Sequence, residues 1–353
     1  VLATVGPLRI GPWAVGPGTA ATAAPVGLQV SGDQLVDAGR PLKLLGVSRS
    51  GTEYACSEGW GIFDGPSDPA SVTTMRRWGI NAVRVPLNED CWLGINGLDP
   101  AFTGEAYRAA IGRWVRLLHR SGMAVILDLH LTAPGDVVPV SQAPMPDADH
   151  SIAFWSSVAS TFRGDPQVAF ELYNEPRDVS WACWLRGCDV GAYPNGAATA
   201  PAYPAAGMQA LLDAVRATGA TQPVLVEGLG WGNDLSGWFA HPLHDPDRQL
   251  VAAFHVYNGS PCATLACWTT TVAPVAAKVP VVITEFGDTD CEASFDRLVM
   301  GWADRHGIGY IAWAWDVWPG CGGPTIIDSY RGTPSPSGVV IREHYLRVSG
   351  ARR

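Results

Sequence analysis

The sequence is poor in charge and has no basic tract. Only 16% of its 353 residues are charged, the formal net charge is −9 and the pI is near 5.3. Phosphate binding relies on clustered Lys and Arg, so nucleic acid is excluded as a partner. Nowhere does the chain supply the roughly 20 consecutive apolar residues that a membrane helix needs. Its longest apolar stretches read instead as buried strands, and no membrane association is expected. Cys-x-x-Cys and His-x-x-x-His are both missing, which removes the usual thiolate and helical-histidine signatures of a metal centre. No repeat is found beyond a plain alternation of strand-like and helix-like segments.

Hydrophobic residues make up 47% of the chain, enough for a large core. The first stretch, 1–26, is rich in Gly, Pro and Ala and lacks a charged start followed by an apolar run, so an N-terminal arm is expected there rather than a signal peptide. Eight cysteines, an even number, point to disulfides formed in an oxidising, extracellular compartment. Chain order suggests Cys56 with Cys91, Cys183 with Cys188, Cys262 with Cys267, and Cys291 with Cys321. Each pair would tie loops on one face of the molecule.

After the arm, Leu28-Gln29-Val30 and Gln34-Leu35-Val36 flank Ser31-Gly32-Asp33, a hairpin pattern. Eight strand candidates follow: Leu44–Ser48, Ala82–Leu87, Ala124–Leu129, Ala169–Tyr173, Pro223–Glu227, Val251–Tyr257, Val281–Phe286 and Gly309–Trp315. Between them, Tyr107–Arg120, Ala205–Thr218 and Phe295–His306 carry apolar residues at helical spacing. Nearly continuous apolar strands imply burial on both faces, as a parallel sheet requires. Eight such units predict an α/β fold, a single (β/α)8 TIM barrel over 27–353 closed by the N-terminal β-hairpin, with disulfide-tied loops at the C-terminal face. The Gly/Ala/Pro/Tyr-rich stretch Gly187–Ala206 reads as a long loop.

The strand ends carry the polar residues. Phe170-Glu171-Leu172-Tyr173-Asn174-Glu175-Pro176 stops at an acid before a proline, and Pro176 predicts extended backbone at Glu175. Val281-Val282-Ile283-Thr284-Glu285-Phe286-Gly287 delivers a second acid at a second strand end. Paired carboxylates at the mouth of a parallel barrel suggest the acid and the nucleophile of glycosidic bond cleavage, with retention if they lie about 5–5.5 Å apart and inversion if wider. Glu175 would be the proton donor, raised by an uncharged pocket, and Glu285 the anion. Arg84 is the one polar residue in Ala82-Val83-Arg84-Val85-Pro86 and asks for a buried acidic partner, for which Glu285 is the candidate; a surface edge is the bland alternative. His130 ends the third strand, and period-two spacing puts His255 and Tyr257 on one side of the sixth. Asn174 can offer its amide to a sugar hydroxyl. Core packing is the reading for most of the 15 tryptophans, and those in loops after strands (Trp60, Trp92, Trp181, Trp184, Trp231, Trp268 and Trp318) are the better subsite candidates.

Six segments in order carry a resemblance: Asn81-Ala82-Val83-Arg84-Val85-Pro86, Asp128-Leu129-His130, Asn174-Glu175-Pro176, His255-Val256-Tyr257, Thr284-Glu285-Phe286-Gly287 and Trp313-Ala314-Trp315-Asp316. Together they resemble glycoside hydrolase family 5, the cellulase-like clan A barrels, over about Leu28 to Leu346. The resemblance implies Glu175 as acid/base, Glu285 as nucleophile, Arg84 supporting it, Asn174 on the sugar 2-hydroxyl and His130 near the cleavage point. His255 and Tyr257 would position the acids, and Trp313 would floor the subsite before the cut. It also implies retention without metal or organic cofactor. After His130 the chain reads Leu131-Thr132-Ala133-Pro134-Gly135, without the second aromatic or histidine of some family cellulases, and the loops around Cys183–Cys188 and Cys262–Cys267 are not general to the family. Both reshape the cleft walls. The expectation is therefore a secreted, monomeric endo-β-1,4-glucanase acting on a β-linked carbohydrate. A β-mannanase or an exo-acting glycosidase is the alternative within the class, and a non-catalytic carbohydrate-binding barrel the alternative outside it.

Overall fold

The computed structural model describes residues 27–290, 292–318 and 323–350; the arm expected over 1–26 lies outside them. Strands β1 (Leu28–Ser31), β2 (Gln34–Asp37) and β3 (Arg40–Pro41) form an antiparallel sheet, so the predicted hairpin gains a short third strand. Eight parallel strands then close a barrel: β4 (Leu45–Ser48), β5 (Ala82–Asn88), β6 (Ala124–Leu131), β7 (Val168–Glu171), and, beyond four short strands, β12 (Val224–Glu227), β13 (Leu250–Tyr257), β14 (Val281–Gly287) and β15 (Gly309–Ala312). The seam is β15 on β4, with Tyr310 opposite Leu45.

The short strands correct one expectation. Gly187–Ala206 is not an open loop: β8 (Asp189–Val190) pairs with β11 (Tyr203–Pro204), and β9 (Tyr193–Asn195) with β10 (Ala198–Ala200). Prolines and small residues hid these ladders from a periodicity reading, because two- and three-residue strands carry almost no alternation. β7 and β15 also end earlier than expected. Leu172 and Asn174 still hydrogen-bond to Leu225 and Leu129 beyond the end of β7, so the chain stays against the barrel up to the acid.

Side-chain alternation sorts the barrel into layers. On β5, Val83, Val85 and Leu87 point outward into the helix-packed core, while Ala82 joins an inner cluster with Ala124, Ile126, Ala169, Leu225, Val251, Val282 and Ile311. Leu28 and Leu35 of the N-terminal sheet seal that cluster from below. Outside, the helix Gly104–Arg120 buries Tyr107, Ile111, Trp114, Val115 and Leu118, one face at helical spacing. Its length matches the expectation to within a few residues, as do Met208–Ala217 and Ser294–Arg305.

Three disulfides join Cys56 to Cys91, Cys183 to Cys188 and Cys262 to Cys267, each in a segment that follows the C-terminal end of a barrel strand. The fourth expected pair, Cys291 with Cys321, lies outside the described residues. No described helix is long and apolar enough to cross a membrane.

One core group predicts how stability follows pH. Asp296, fully buried in the helix Ser294–Arg305, is pushed by burial up to about 7. The protonated acid suits the folded state, so its contribution is complete below pH 4 and disappears as the pH rises through 7. Asp296→Asn, neutral at every pH, is expected to lose less thermal stability than the wild type between pH 5 and 8.5. Parallel melting curves for the two proteins over that range check this.

Candidate active site

Above the apolar floor the barrel interior turns polar, and Arg84 is its hub. Its side chain is fully buried, which rules out the surface-edge alternative. The expected partner Glu285 is present, with Arg84 Nη1 at 2.6 Å from its Oε1, but it is one of several. Nε donates to Glu171 at 2.5 Å, Nη2 donates to Asn174 Oδ1 at 2.8 Å and lies 2.9 Å from Asp128, and Glu227 stands at 3.7 Å. A single guanidinium thus faces four carboxylates. A planar fork with five N–H groups can serve that many oxygens where an ammonium cannot. The surplus negative charge is relieved by protonation: burial raises Asp128 to about 7, and burial followed by repulsion from Glu171 raises Glu227 well above the ordinary carboxylate range.

Backbone irregularities aim the two central acids. Alternation from Val282 would turn Thr284 inward and Glu285 outward. The register of β14 against β13 instead slips between Phe254 and His255, so that His255 sits opposite Glu285. This bulge brings both Thr284 and Glu285 to the interior, where Thr284 reaches His255 Nε2 at 3.0 Å. Tyr257 donates to Glu285 Oε2 at 2.5 Å, so both oxygens of that carboxylate have donors.

Glu175 departs from expectation. Its φ is +56°, left-handed rather than extended. Such a conformation costs a non-glycine residue of order 1–3 kcal/mol unless its surroundings fix it. Here the backbone N–H of Glu175 donates to Glu227 Oε2 at 2.9 Å, and the carbonyl of Pro176 accepts from the Trp231 backbone at 3.2 Å. These two bonds override the local preference of a residue before proline. The Glu175 side chain is 12% exposed, and burial raises its carboxyl above the ordinary range, against lowering by His130 and by a hydrogen bond from Gln142.

His255 Nδ1 stands between the pair, 3.2 Å from Glu175 Oε1 and 3.6 Å from Glu285 Oε2. Its Nε2 is 3.1 Å from Glu227. Burial lowers His255 to about 4, so the ring is neutral at pH 7. One oxygen of Glu175, one of Glu285 and a ring nitrogen of His255 all lie within 4.8 Å of one another. His130 holds Asp128 through Nδ1 at 2.8 Å, and its ring stacks on Trp313, with centroids 5.3 Å apart and planes 10° from parallel. Trp315, by contrast, is fully buried and packs edge-on against Trp78.

All eight residues singled out by the sequence converge on this mouth. The sequence reading passed over Asp128, Glu171, Glu227 and Gln142. Asp128, Glu171 and Glu227 were legible as lone acids in apolar strands, the same signal that exposed Arg84. Of the loop tryptophans, Trp92, Trp184 and Trp268 are buried, which removes them as subsite candidates. Their strand-following position reflects packing of the loops over the helices, as the indole bonds to Ser157, the Glu227 carbonyl and the Cys262 carbonyl show. Trp60 and Trp231 are about half exposed.

Among the described residues, two further acid–histidine groups have donor atoms close enough for a cation. In Glu171, Glu227 and His255, the Arg84 guanidinium already supplies positive charge. In Glu89, Asp147 and His150, the hydroxyls of Thr132 and Ser151 tie the two carboxyl groups together, and burial with repulsion from Asp147 raises Glu89 well above its ordinary range. In both, side chains of the protein already bond the carboxyl oxygens.

A closed parallel barrel with two close carboxyl groups at its C-terminal mouth has the architecture of a two-carboxylate glycoside hydrolase. The chain belongs to the cellulase family, glycosyl hydrolase family 5, whose pattern it matches over residues 37–318. Members of that family hydrolyse glycosidic bonds by a retaining mechanism. The chain is similar to a mannan endo-1,4-beta-mannosidase of Streptomyces lividans, 23% identical over 84% of this chain and 67% of the relative. It is also similar to endoglucanase 1 of Robillarda sp. (strain Y-20), 27% identical over 46% of this chain and 42% of the relative. It thus spans about two fifths to two thirds of the length of these relatives. In fold it is similar to a beta-glucanase of Saccharophagus degradans, with a TM-score of 0.68, 20% identity, and coverage of 92% of this chain and 94% of that one.

Proposed function

We propose that this chain is a retaining β-glycoside hydrolase, secreted and acting as an endo-β-1,4-glucanase. The observation that carries the chemistry is the approach of Glu175 and Glu285 to within 4.8 Å, oxygen to oxygen, with His255 between them. That spacing suits a nucleophile and an acid/base on opposite sides of one glycosidic bond, and is too short to hold a water for direct inversion.

In the first step Glu285 attacks the anomeric carbon, the C–O bond to the leaving group breaks, and Glu175 gives its proton to the departing oxygen. In the second, Glu175 takes a proton from water as that water attacks the anomeric carbon and releases Glu285. Arg84 and Tyr257 orient the nucleophile and disperse its charge. Arg84 also holds the Asn174 carbonyl, and the Asn174 amide N–H group has no acceptor among the described residues, which leaves it for the 2-hydroxyl of the sugar. Trp313, braced by His130, offers its ring as a floor for the same sugar.

Disulfides support the secreted reading, because they persist in oxidising compartments. A β-mannanase is the second reading, favoured by the likeness to the Streptomyces lividans enzyme over most of this chain. Product analysis on β-1,4-glucan and β-1,4-mannan separates the two. Short soluble oligosaccharides from glucan with little release from mannan are expected, and the reverse preference assigns the mannanase.

A further inference from the structure

Glu227 ends β12 with its side chain closed to solvent, so its carboxyl cannot touch a sugar. The turn that follows lies directly over it. A Cβ on Gly232 would collide with Glu227 Oε2 and stand 3.1 Å from His255, and the His255 backbone N–H donates to the Gly232 carbonyl at 3.0 Å. Turn, imidazole and carboxyl are thus packed as one block. An acid held in this way acts on the reaction only through its neighbours.

Its two oxygens meet different partners. Oε2 accepts the backbone N–H of Glu175 at 2.9 Å, one of the bonds that hold the proton donor in its left-handed conformation. Oε1 has no hydrogen-bond partner among the described residues, although it is fully buried. A buried carboxylate oxygen left without a donor is a large cost to the fold. The nearest polar atom it faces is His255 Nε2 at 3.1 Å, with Arg84 Nη2 farther off at 3.7 Å. Burial, then repulsion from Glu171, with Glu175 and Asp128 adding to it against the single Arg84 cation, favours the neutral form of Glu227. A hydrogen on Oε1 turns the orphaned acceptor into a donor aimed at Nε2.

The consequence passes through the ring. A neutral imidazole that accepts at Nε2 carries its own hydrogen at Nδ1, and burial keeps His255 neutral at pH 7. Nδ1 is the atom that faces the two acids, 3.2 Å from Glu175 Oε1 and 3.6 Å from Glu285 Oε2. The Thr284 hydroxyl, 3.0 Å from Nε2, can donate or accept and so leaves the tautomer open.

We propose that Glu227 is a positioning residue for the proton donor, a neutral carboxyl that ties down the Glu175 backbone with one oxygen and, through the hydrogen on the other, holds His255 in the tautomer that turns Nδ1–H toward Glu175. That N–H bonds Glu175 Oε1, leaves Oε2 to carry the hydrogen that goes to the departing oxygen, and steadies the carboxylate that remains. The hydrogen on Glu227 itself stays in place throughout. This inference rests on the hydrolase reading above, with Glu175 as its acid.

Two variants and one spectrum test it. Glu227→Gln has the shape of the neutral carboxyl, with an amide N–H for Nε2 and a carbonyl for the Glu175 N–H, whereas Glu227→Met fills the same length and makes neither bond. Values of kcat/KM are compared for a cello-oligosaccharide, whose leaving group needs a proton, and for a dinitrophenyl glycoside of the same glycosyl part, whose leaving group needs none. In Glu227→Met the ratio of the first to the second is expected to fall about 10- to 100-fold, the scale of a misplaced general acid. Glu227→Gln is expected to stay within about fivefold of wild type on both substrates. Nitrogen-15 NMR of the histidine-labelled wild type, with the His255 signals identified by their loss in His255→Asn, is expected to show the hydrogen on Nδ1 and a bare Nε2. A hydrogen on Nε2 overturns the proposal, and this reading needs no variant of Glu227 to fold. So does a ratio in Glu227→Met within about fivefold of wild type, or a larger loss than that in Glu227→Gln, which would mean that Glu227 works as an anion. Absence of turnover of both substrates by the wild type overturns the hydrolase reading and this one with it, an outcome distinct from the wrong tautomer in an active enzyme.

Discussion

Glu285→Ala is expected to lower kcat by about 10⁴-fold or more on every glycoside, the scale on which removal of a covalent nucleophile acts. Leaving-group quality does not rescue it, because the carbon–oxygen bond to Glu285 must form whatever departs. Added azide, small enough for the vacated space, is expected to restore turnover and give the α-glycosyl azide by a single displacement. Glu175→Ala behaves differently. Loss of the acid costs about 10²- to 10⁴-fold on substrates with poor leaving groups. An activated aryl glycoside needs no proton, so it still glycosylates Glu285 and shows a burst followed by slow release. Azide accelerates that release and gives the β-glycosyl azide. Opposite anomers from the two variants fix which acid does what, and equal behaviour of both on activated substrates contradicts the assignment.

Arg84→Ala is expected to be the most damaging change to the fold. It leaves Asp128, Glu171, Glu227 and Glu285 buried with no cation among them, and removing one partner of a buried charge network costs about 3–5 kcal/mol. The loss should grow with pH. Burial already raises Asp128 and Glu227, and with the guanidinium gone nothing opposes it, so these two keep their protons to higher pH in the folded state than in the unfolded chain; stability is complete in acid and falls as they ionise. Arg84→Lys keeps a charge but cannot bond Glu171, Glu285 and Asn174 at once. It is expected to fold, with kcat/KM reduced by about 10²-fold through misplacement of Glu285. Urea unfolding at pH 5 and pH 8 for the three proteins measures the first effect, and steady-state kinetics the second. Wild-type activity in Arg84→Lys contradicts the view that the fork geometry matters.

Much of this site was legible because strand ends are where the chain must break its own apolar pattern. Arg84 stands out in a run of valines, and Glu285 ends a run of Val, Val, Ile and Thr, so both could be found from composition and spacing. What escaped depends on backbone geometry that side-chain patterns do not encode. The bulge that turns Glu285 inward is set by the pairing of β13 with β14, a contact across the sheet. The left-handed Glu175 is held by Glu227 and by Trp231, which lie 52 and 55 or more residues away along the chain. The bond that Arg84 donates to the Asn174 carbonyl likewise spans 90 positions. The tryptophans misread as cleft residues follow the same logic. Position after a strand says that a residue is near the mouth, while packing decides whether Trp268 faces sugar or Phe295.

The electrostatic design is also one of numbers. Four carboxyl groups, one guanidinium and a neutral His255 share a small buried volume, and protons held on Asp128 and Glu227 bring the count toward balance. Such an arrangement keeps Glu285 paired with the guanidinium, while burial raises the carboxyl of Glu175 above the ordinary range. Opposite environments for two similar acids are what acid and nucleophile roles require.

The most direct test is covalent capture. A 2-deoxy-2-fluoro β-glycoside with an activated leaving group slows the second step more than the first, so the glycosyl-enzyme accumulates. Peptide mapping by mass spectrometry is predicted to place one glycosyl unit on Glu285, within Val281–Gly287. A label on Glu175 or any other side chain, or turnover at full rate with no label in the Glu285→Ala protein, contradicts the account.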